Sequence, residues 1–272
     1  FQDNSNCYCL NGKFIYLTNF PPNDVFDKKT LLAIPHYLYN IIYLCTRLQL
    51  YKDSTIEKTK HLNQEELIIK QVAYYRDCSV DIINIFMQYR SLCDQFIKLL
   101  AVGKLDGKLK IKSSKVKNGS FNDVYKDYNN KQSCYSSDDD IYDLFKKNNL
   151  IYKDQKSLAT WFGQMRATRD GIVHLGHEAC VMGNPSNGIV FQVYSGVDKI
   201  IQRLPHIKFN DHALYFEKYF ALQFSSLLLF AESLACLIEN RLYYPLNKTG
   251  VNINGCSTIY QWISNFHDEL NQ

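Results

Sequence analysis

The run NQEELIIKQVAYYRDCSVDIINIFMQYRSLCDQFIKLL, Asn63 to Leu100, decides the fold. Within it Ile68, Val72, Tyr75, Ser79, Ile82, Phe86, Tyr89, Cys93, Phe96 and Leu100 recur at alternating steps of four and three. On a helix turning about 100° per residue those steps keep them on one stripe. Ile83, Ile85, Leu92 and Leu99 flank the stripe and widen the apolar face. Asn63, with Glu66 three residues on, has the form of a capping box at the start. The run therefore reads as one long helix at the centre of a core.

Upstream, Lys13 to Leu17 reads as a short strand before the turn Asn19-Phe20-Pro21-Pro22-Asn23. A helix is expected from Pro35, a residue suited to a first helical position, to about Leu50, with Leu38, Ile41, Cys45 and Leu48 on its apolar side. Downstream, Lys104, Lys108, Lys110, Lys112, Lys115 and Lys117 gather around Asp106-Gly107, a turn that closes a small hairpin. This stretch is either a phosphate-contacting arm or a solvated, mobile insertion. Ser136-Ser137-Asp138-Asp139-Asp140 reads as the cap of a helix over Ile141 to Lys147 rather than as a metal site.

A helix from near Ser157 carries Leu158, Trp161, Phe162 and Met165 toward Arg169. Then His177 to Met182 and Ile189 to Tyr194 form a β-hairpin across a Gly/Asn/Pro/Ser turn. Asn210-Asp211 opens the last long helix, to about Tyr244, with Phe220, Phe224, Leu227, Ala231, Leu234 and Ile238 on one face. A short helix from Ser257 to Leu270 completes the chain. The expected fold is mainly α: a helical bundle of four or five core helices with a β-hairpin and a lysine-rich insertion. One domain covers 1–272, with bundle core at 31–101 and 157–244, basic insertion at 102–135, hairpin at 177–195 and C-terminal appendage at 245–272.

Composition narrows the function classes. With 46% hydrophobic residues, twelve Gly and six Pro in 272, the chain fills a sizeable core, which excludes wholesale disorder and a disulfide miniprotein. A net charge of +4 means that any basic surface is local. Nine scattered cysteines with no CxxC pair read as free thiols in a reducing cytoplasm, with neither a structural zinc site nor a disulfide framework. The longest candidate span, Tyr219 to Ala231, is short of the ~20 apolar residues a membrane crossing needs, so no membrane segment is expected. P-loop, GxGxxG, GxSxG, HExxH and kinase signatures are absent, and no cofactor is implied.

One stretch remains: Trp161 to Glu178, reading WFGQMRATRDGIVHLGHE, which holds Arg166, Arg169, His174 and His177. Arg169-Asp170-Gly171-Ile172-Val173-His174 is an Arg, a polar neighbour, then a His after four intervening positions. It resembles the signature of the HEPN superfamily, helical-bundle proteins found among RNA-cleaving toxins, CRISPR-associated nucleases and phage-defence systems. The resemblance spans six residues by motif and about Leu31 to Leu242 by architecture. It implies a cytoplasmic, metal-independent endoribonuclease that yields a 2′,3′-cyclic phosphate, with Arg169 and His174 as catalytic residues at a composite site in a homodimer. Asp170 would orient or cap. A toxin or antiviral role would bring an antitoxin or defence-system partner. The chain departs from one subfamily, whose antitoxin-regulated members carry Tyr two residues after the motif His, where Gly176 stands here. The alternative is a catalytically inactive HEPN-like RNA-binding or scaffold protein.

The chemistry can be read from the residues alone. Cleaving RNA without a metal needs a base for the ribose 2′-OH, a cation for the phosphorane and an acid for the leaving oxygen. Imidazole, with an unperturbed pKa of about 6.5, serves as base or acid, and guanidinium offers a fixed fork to phosphate. Arg166, His177, Lys108, Lys110 and Lys112 are candidate RNA contacts. Five residues on a straight helix would set Arg169 and His174 roughly 140° apart. Either Arg169 reaches around, or the helix restarts with Asp170 as its cap.

Overall fold

In the computed structural model the long run is a single helix, Gln64–Leu105, and the protein is mainly helical. The structure describes residues 2–4, 7–19, 26, 28–62, 64–105, 107–136, 138–152, 157–174, 180–192, 204–242, 245–247, 249–252 and 256–271. The helices are α1 (Lys13–Asn19), α2 (Lys28–Thr59), α3 (Gln64–Leu105), α4 (Lys115–Asn118), α5 (Phe121–Asn130), α6 (Gln132–Tyr135), α7 (Asp140–Lys147), α8 (Trp161–His174), α9 (Phe216–Leu242) and α10 (Cys256–Leu270). Asn63, expected to cap α3, lies outside the described residues.

The apolar stripe of α3 is covered only along part of its length. Ile82, Phe86, Tyr89, Cys93, Phe96 and Leu100 are buried, whereas Ile68 and Val72 are each 59% exposed. The chain forms two compact units, residues 1–39, 89–161 and 225–253 in one, and 40–88, 162–224 and 254–272 in the other.

The first unit contains a three-stranded antiparallel sheet in the order β1 (Gln2–Asn4), β2 (Cys7–Gly12), β6 (Thr249–Asn252), which the sequence did not announce. The expected strand at Lys13 to Leu17 is instead α1. Its first two amides, of Lys13 and Phe14, donate to the two oxygens of Glu232 in α9 at 3.0 Å each. A carboxylate at a helix N-terminus satisfies orphan N–H groups and complements the dipole, and this one arrives from far along the chain. Gly12 makes room for it, since a Cβ there would lie 2.6 Å from Glu232 Oε2. Lys13 also pairs with Glu239.

Phe96, Phe121, Phe145 and Phe230 form a fully buried aromatic cluster in this unit, with Phe121 stacked on Phe145 at 5.6 Å. Much of the expected insertion packs into the same core. Leu109, Ser113, Val116, Phe121, Val124, Tyr125 and Tyr128 are buried. No strand forms at residues 108–113, so the expected hairpin is absent there. The amides of Lys110 and Lys112 donate instead to Asp140 (2.8 Å) and Asp139 (2.7 Å). Asp139 caps α7 by accepting from Ile141 and Tyr142, as expected, and also takes the Tyr128 hydroxyl at 2.9 Å.

The second unit holds the antiparallel sheet β3 (Cys180–Met182), β4 (Val190–Gln192), β5 (Leu214–Tyr215) in that order. β3 and β4 are the hairpin read from the sequence, turned through Gly183 and Gly188 at φ +82 and +103. Asn210-Asp211 does not open α9, because Leu214–Tyr215 pairs with β4 and the helix starts at Phe216. Phe86, Phe191, Phe216, Tyr219 and Phe220 build the core here, and buried Asp81 pairs with Arg47.

Pro35 sits inside α2 rather than at its start. It removes one backbone hydrogen bond, yet Leu31, Ile34, Leu38 and Ile41 are buried on both sides of it, and their packing carries the helix through. By length and composition Phe216–Arg241 is apolar enough to cross a membrane, against the sequence expectation: an 18-residue window within it has mean hydropathy 1.7, and half of that window is buried inside the protein. Its charged residues are engaged within the protein: Glu217 with Lys52, Lys218 with Glu269, Glu232 with α1 and Glu239 with Lys13. Phe220, Phe224, Leu227, Ala231, Leu234 and Ile238 are buried, as the sequence led one to expect.

Candidate functional site

The Arg-Asp-x3-His stretch occupies the end of α8. Phe162, Met165, Thr168 and Ile172 supply its buried side, at steps of three, three and four. Polar bonds fix the helix against α9. Gln223 donates to Gln164 Oε1 at 2.7 Å, and the Thr168 hydroxyl donates to the Gln164 carbonyl while lying 3.4 Å from the Tyr219 hydroxyl. Burial pushes the Tyr219 phenol well above its ordinary value, so it serves as a neutral polar anchor.

Arg166 and Asp170 lie on the other, half-exposed side, and Arg169 stands at the edge of the buried face. Arg169 Nη1 donates to Asp170 Oδ1 at 3.1 Å, with the arginine 23% and the aspartate 46% exposed. The helix is continuous from Trp161 to His174, so Asp170 is not the cap of a restarted helix. No restart occurs because Gly171 and Ile172 are buried and continue the packed face.

Continuity fixes the placement of the motif. Arg169 and His174 stand about 140° apart and about 7.5 Å apart along the axis, so they occupy different faces. Asp170 stands four residues before His174, and four-apart residues are neighbours on one face. Arg166, Asp170 and His174 thus form an i, i+4, i+8 row, with Arg169 tied into it by its ion pair. This row was present in the sequence, where the i, i+4 step from Asp170 to His174 was the available signal. The side chain of His174 and the whole of His177 lie outside the described residues.

Lys108, Lys110 and Lys112 belong to the first unit, with Arg166, Arg169, Asp170 and His174 in the second. All three lysines are exposed, and Lys110 pairs with Asp138 at 2.8 Å. Among the described residues no group of three or more His, Cys, Asp or Glu is arranged to hold a metal. Cys45, Cys78 and Cys93 are buried free thiols pushed well above their ordinary values by burial, which makes them poor nucleophiles. Comparison of the chain with models of protein families, with curated proteins and with solved structures finds no match.

Proposed function

We propose that the protein is a metal-independent endoribonuclease of HEPN type, acting as a two-fold dimer. The observation that supports this reading is the row at the end of α8, where Asp170 holds the Arg169 guanidinium and stands one turn before His174. In the reaction, one imidazole takes the ribose 2′-OH proton as O2′ bonds to phosphorus. The P–O5′ bond breaks, and the second subunit's imidazolium protonates O5′, leaving a 2′,3′-cyclic phosphate and a 5′-hydroxyl with no water consumed. The guanidiniums meet the charge on the equatorial oxygens. One chain offers one imidazole and one guanidinium on different faces, whereas a dimer offers two of each. Asp170 acts as a positioning residue, and Arg166 with the lysines at 108, 110 and 112 contacts RNA phosphates. A toxin or antiviral role follows from the resemblance to that superfamily.

The test is RNA cleavage in EDTA by wild type and His174→Ala. The expected result is cleavage by wild type to cyclic-phosphate ends, lost in the variant while RNA binding and dimerisation persist. Cleavage that survives the substitution overturns the mechanism. RNA binding by a wild type that does not cleave favours the scaffold alternative.

A further inference from the structure

A cleft of about 320 Å³ opens in the second unit, where the first turn of α9 faces α2, α10 and the turn at Pro185–Asn187. That volume suits a small organic group. Its apolar lining is Trp262, Phe266 and Tyr215. Trp262 is fixed in place: its indole N–H donates to Gln49 Oε1 at 3.0 Å, and its ring meets Phe216 edge-on at 6.2 Å. Gly188 keeps one side open. Its φ of +103 favours glycine, and a Cβ there would press on Tyr215 Cδ1 and Glu217 Oε1 at 3.4 Å.

The charges around the cleft cancel in pairs. Lys52 donates to Glu217 at 3.1 Å, and Glu217 also accepts from the Ile189 amide. Lys218 donates to Glu269 at 2.6 Å while lying 4.7 Å from the centre of the Tyr215 ring. Two lysines and two glutamates leave the lining without net charge, which gives a phosphate no pull. A zwitterion would have to displace one of these ion pairs to reach a charge. The carboxamides of Asn187, Gln261 and Asn265, by contrast, hydrogen-bond to no described residue. Each offers an acceptor and a donor side by side, the pair with which Asn and Gln bond the edge of a nucleobase. Aromatic side chains beside such amides supply the surface on which an unpaired base stacks.

The position of the cleft along α9 says which base it meets. Helices α8 and α9 run antiparallel, since Gln164 meets Gln223 at 2.7 Å and Thr168 meets Tyr219 at 3.4 Å, four residues forward on one for four back on the other. The same progression brings Ile172 level with Phe216 and Tyr215, and so sets the end of α8, with Asp170 and His174, level with the first turn of α9. The cleft and the candidate site thus share one end of this helix pair. We infer that the cleft holds an unpaired nucleobase of the RNA strand whose phosphate lies at the end of α8, and that it sets the base preference of cleavage. The choice of strand rests on the ribonuclease reading, whereas the fit of a base to the cleft does not.

The experiment is calorimetric titration of the full chain with adenosine, guanosine, cytidine and uridine, and with ribose and glucose as probes that carry no base. At least one nucleoside is expected to bind with a Kd on the order of 1 mM, the range open to a ligand of that size. The double variant Gln261→Ala with Asn265→Ala, at two exposed positions of α10, should weaken that binding about tenfold or more and keep the wild-type melting midpoint. On single-stranded RNA the same variant should still cut but lose its preference for the base that binds. Absence of nucleoside binding, ribose or glucose binding as tightly as the best nucleoside, or binding that the double variant leaves intact would each overturn the inference. So would an unchanged base preference in the variant. His174→Ala should bind the nucleoside as wild type does. A wild type that binds the nucleoside but leaves RNA uncut sinks the catalytic reading and keeps the cleft as a base-binding site, so the two failures are told apart.

Discussion

Two stretches of this chain are conspicuously charged, residues 107–142 and the end of α8, and the protein uses them in opposite ways. In the first, charge is absorbed into architecture. Asp139 is 2% exposed and accepts from the Lys112, Ile141 and Tyr142 amides and the Tyr128 hydroxyl, while Asp140 accepts from the Lys110 amide and pairs with Arg241. These carboxylates are surrounded by donors that would otherwise be buried and orphaned. In the second, Asp170 on the half-exposed side of α8 pairs with Arg169 at the edge of a buried face that Gln164 and Gln223 tie to α9. A run of charges is therefore assigned by asking which backbone amides would lose their acceptor without it.

The contrast is broken most sharply at His174. His174→Ala should lower RNA cleavage by about 10²- to 10⁴-fold, the usual contribution of a proton-transfer group, and leave the melting midpoint unchanged. A large drop in stability with cleavage retained would make the α8 end architectural too.

The mirror experiment is Asp139→Ala. It strips a buried acceptor from three amides and a buried hydroxyl, and should cost about 3–5 kcal/mol in urea unfolding. A loss below about 1 kcal/mol would show that those donors find other partners.

Asp127 sharpens the same point through pH. Burial pushes its carboxyl up, but bonds from Lys131, Ser113 and Tyr135 outweigh this and hold it below its ordinary value. Because the folded carboxyl ionises more readily than the unfolded one, its bonds add stability above about pH 4. That stability is lost as pH falls through the lowered folded value. Asp127→Asn should cost about 1–2 kcal/mol at neutral pH and flatten the loss of stability on acidification, measured by urea titrations between about pH 2 and 6. An unchanged acid slope would remove Asp127 from the account.

What the sequence told of this fold depended on how local the cause was. Helix α3, the Asp139 cap, the β3–β4 hairpin and the buried face of α9 all follow from patterns a few residues long, and all were legible. Lys13 to Leu17 was misread because its helix is capped by Glu232, which no local pattern reports. The loop at 108–113 looked like a hairpin because the demand of Asp139 and Asp140 for its amides comes from about thirty residues downstream. At the candidate site, residue types and spacing were legible, but the uninterrupted course of α8 through Asp170 was not. A Gly after an Asp reads as a break until the burial of Gly171 and Ile172 is seen. Ile68 and Val72 teach the complementary limit, since periodicity identifies a face but not what covers it.

The smallest expected effect falls on Lys110, where the two uses of charge meet. Its amide belongs to the architecture through Asp140, whereas its ammonium is exposed and pairs with equally exposed Asp138. An exposed pair of this kind adds little to stability, so Lys110→Ala should barely move the urea midpoint. If the ammonium contacts RNA, removing it eliminates one phosphate neutralisation. The slope of log affinity against log salt should then fall in magnitude by about 0.7 for single-stranded RNA, uniformly across sequences. Fluorescence anisotropy over a salt series reads that slope. A slope equal to wild type would assign the Lys110 ammonium, like its amide, to the fold alone.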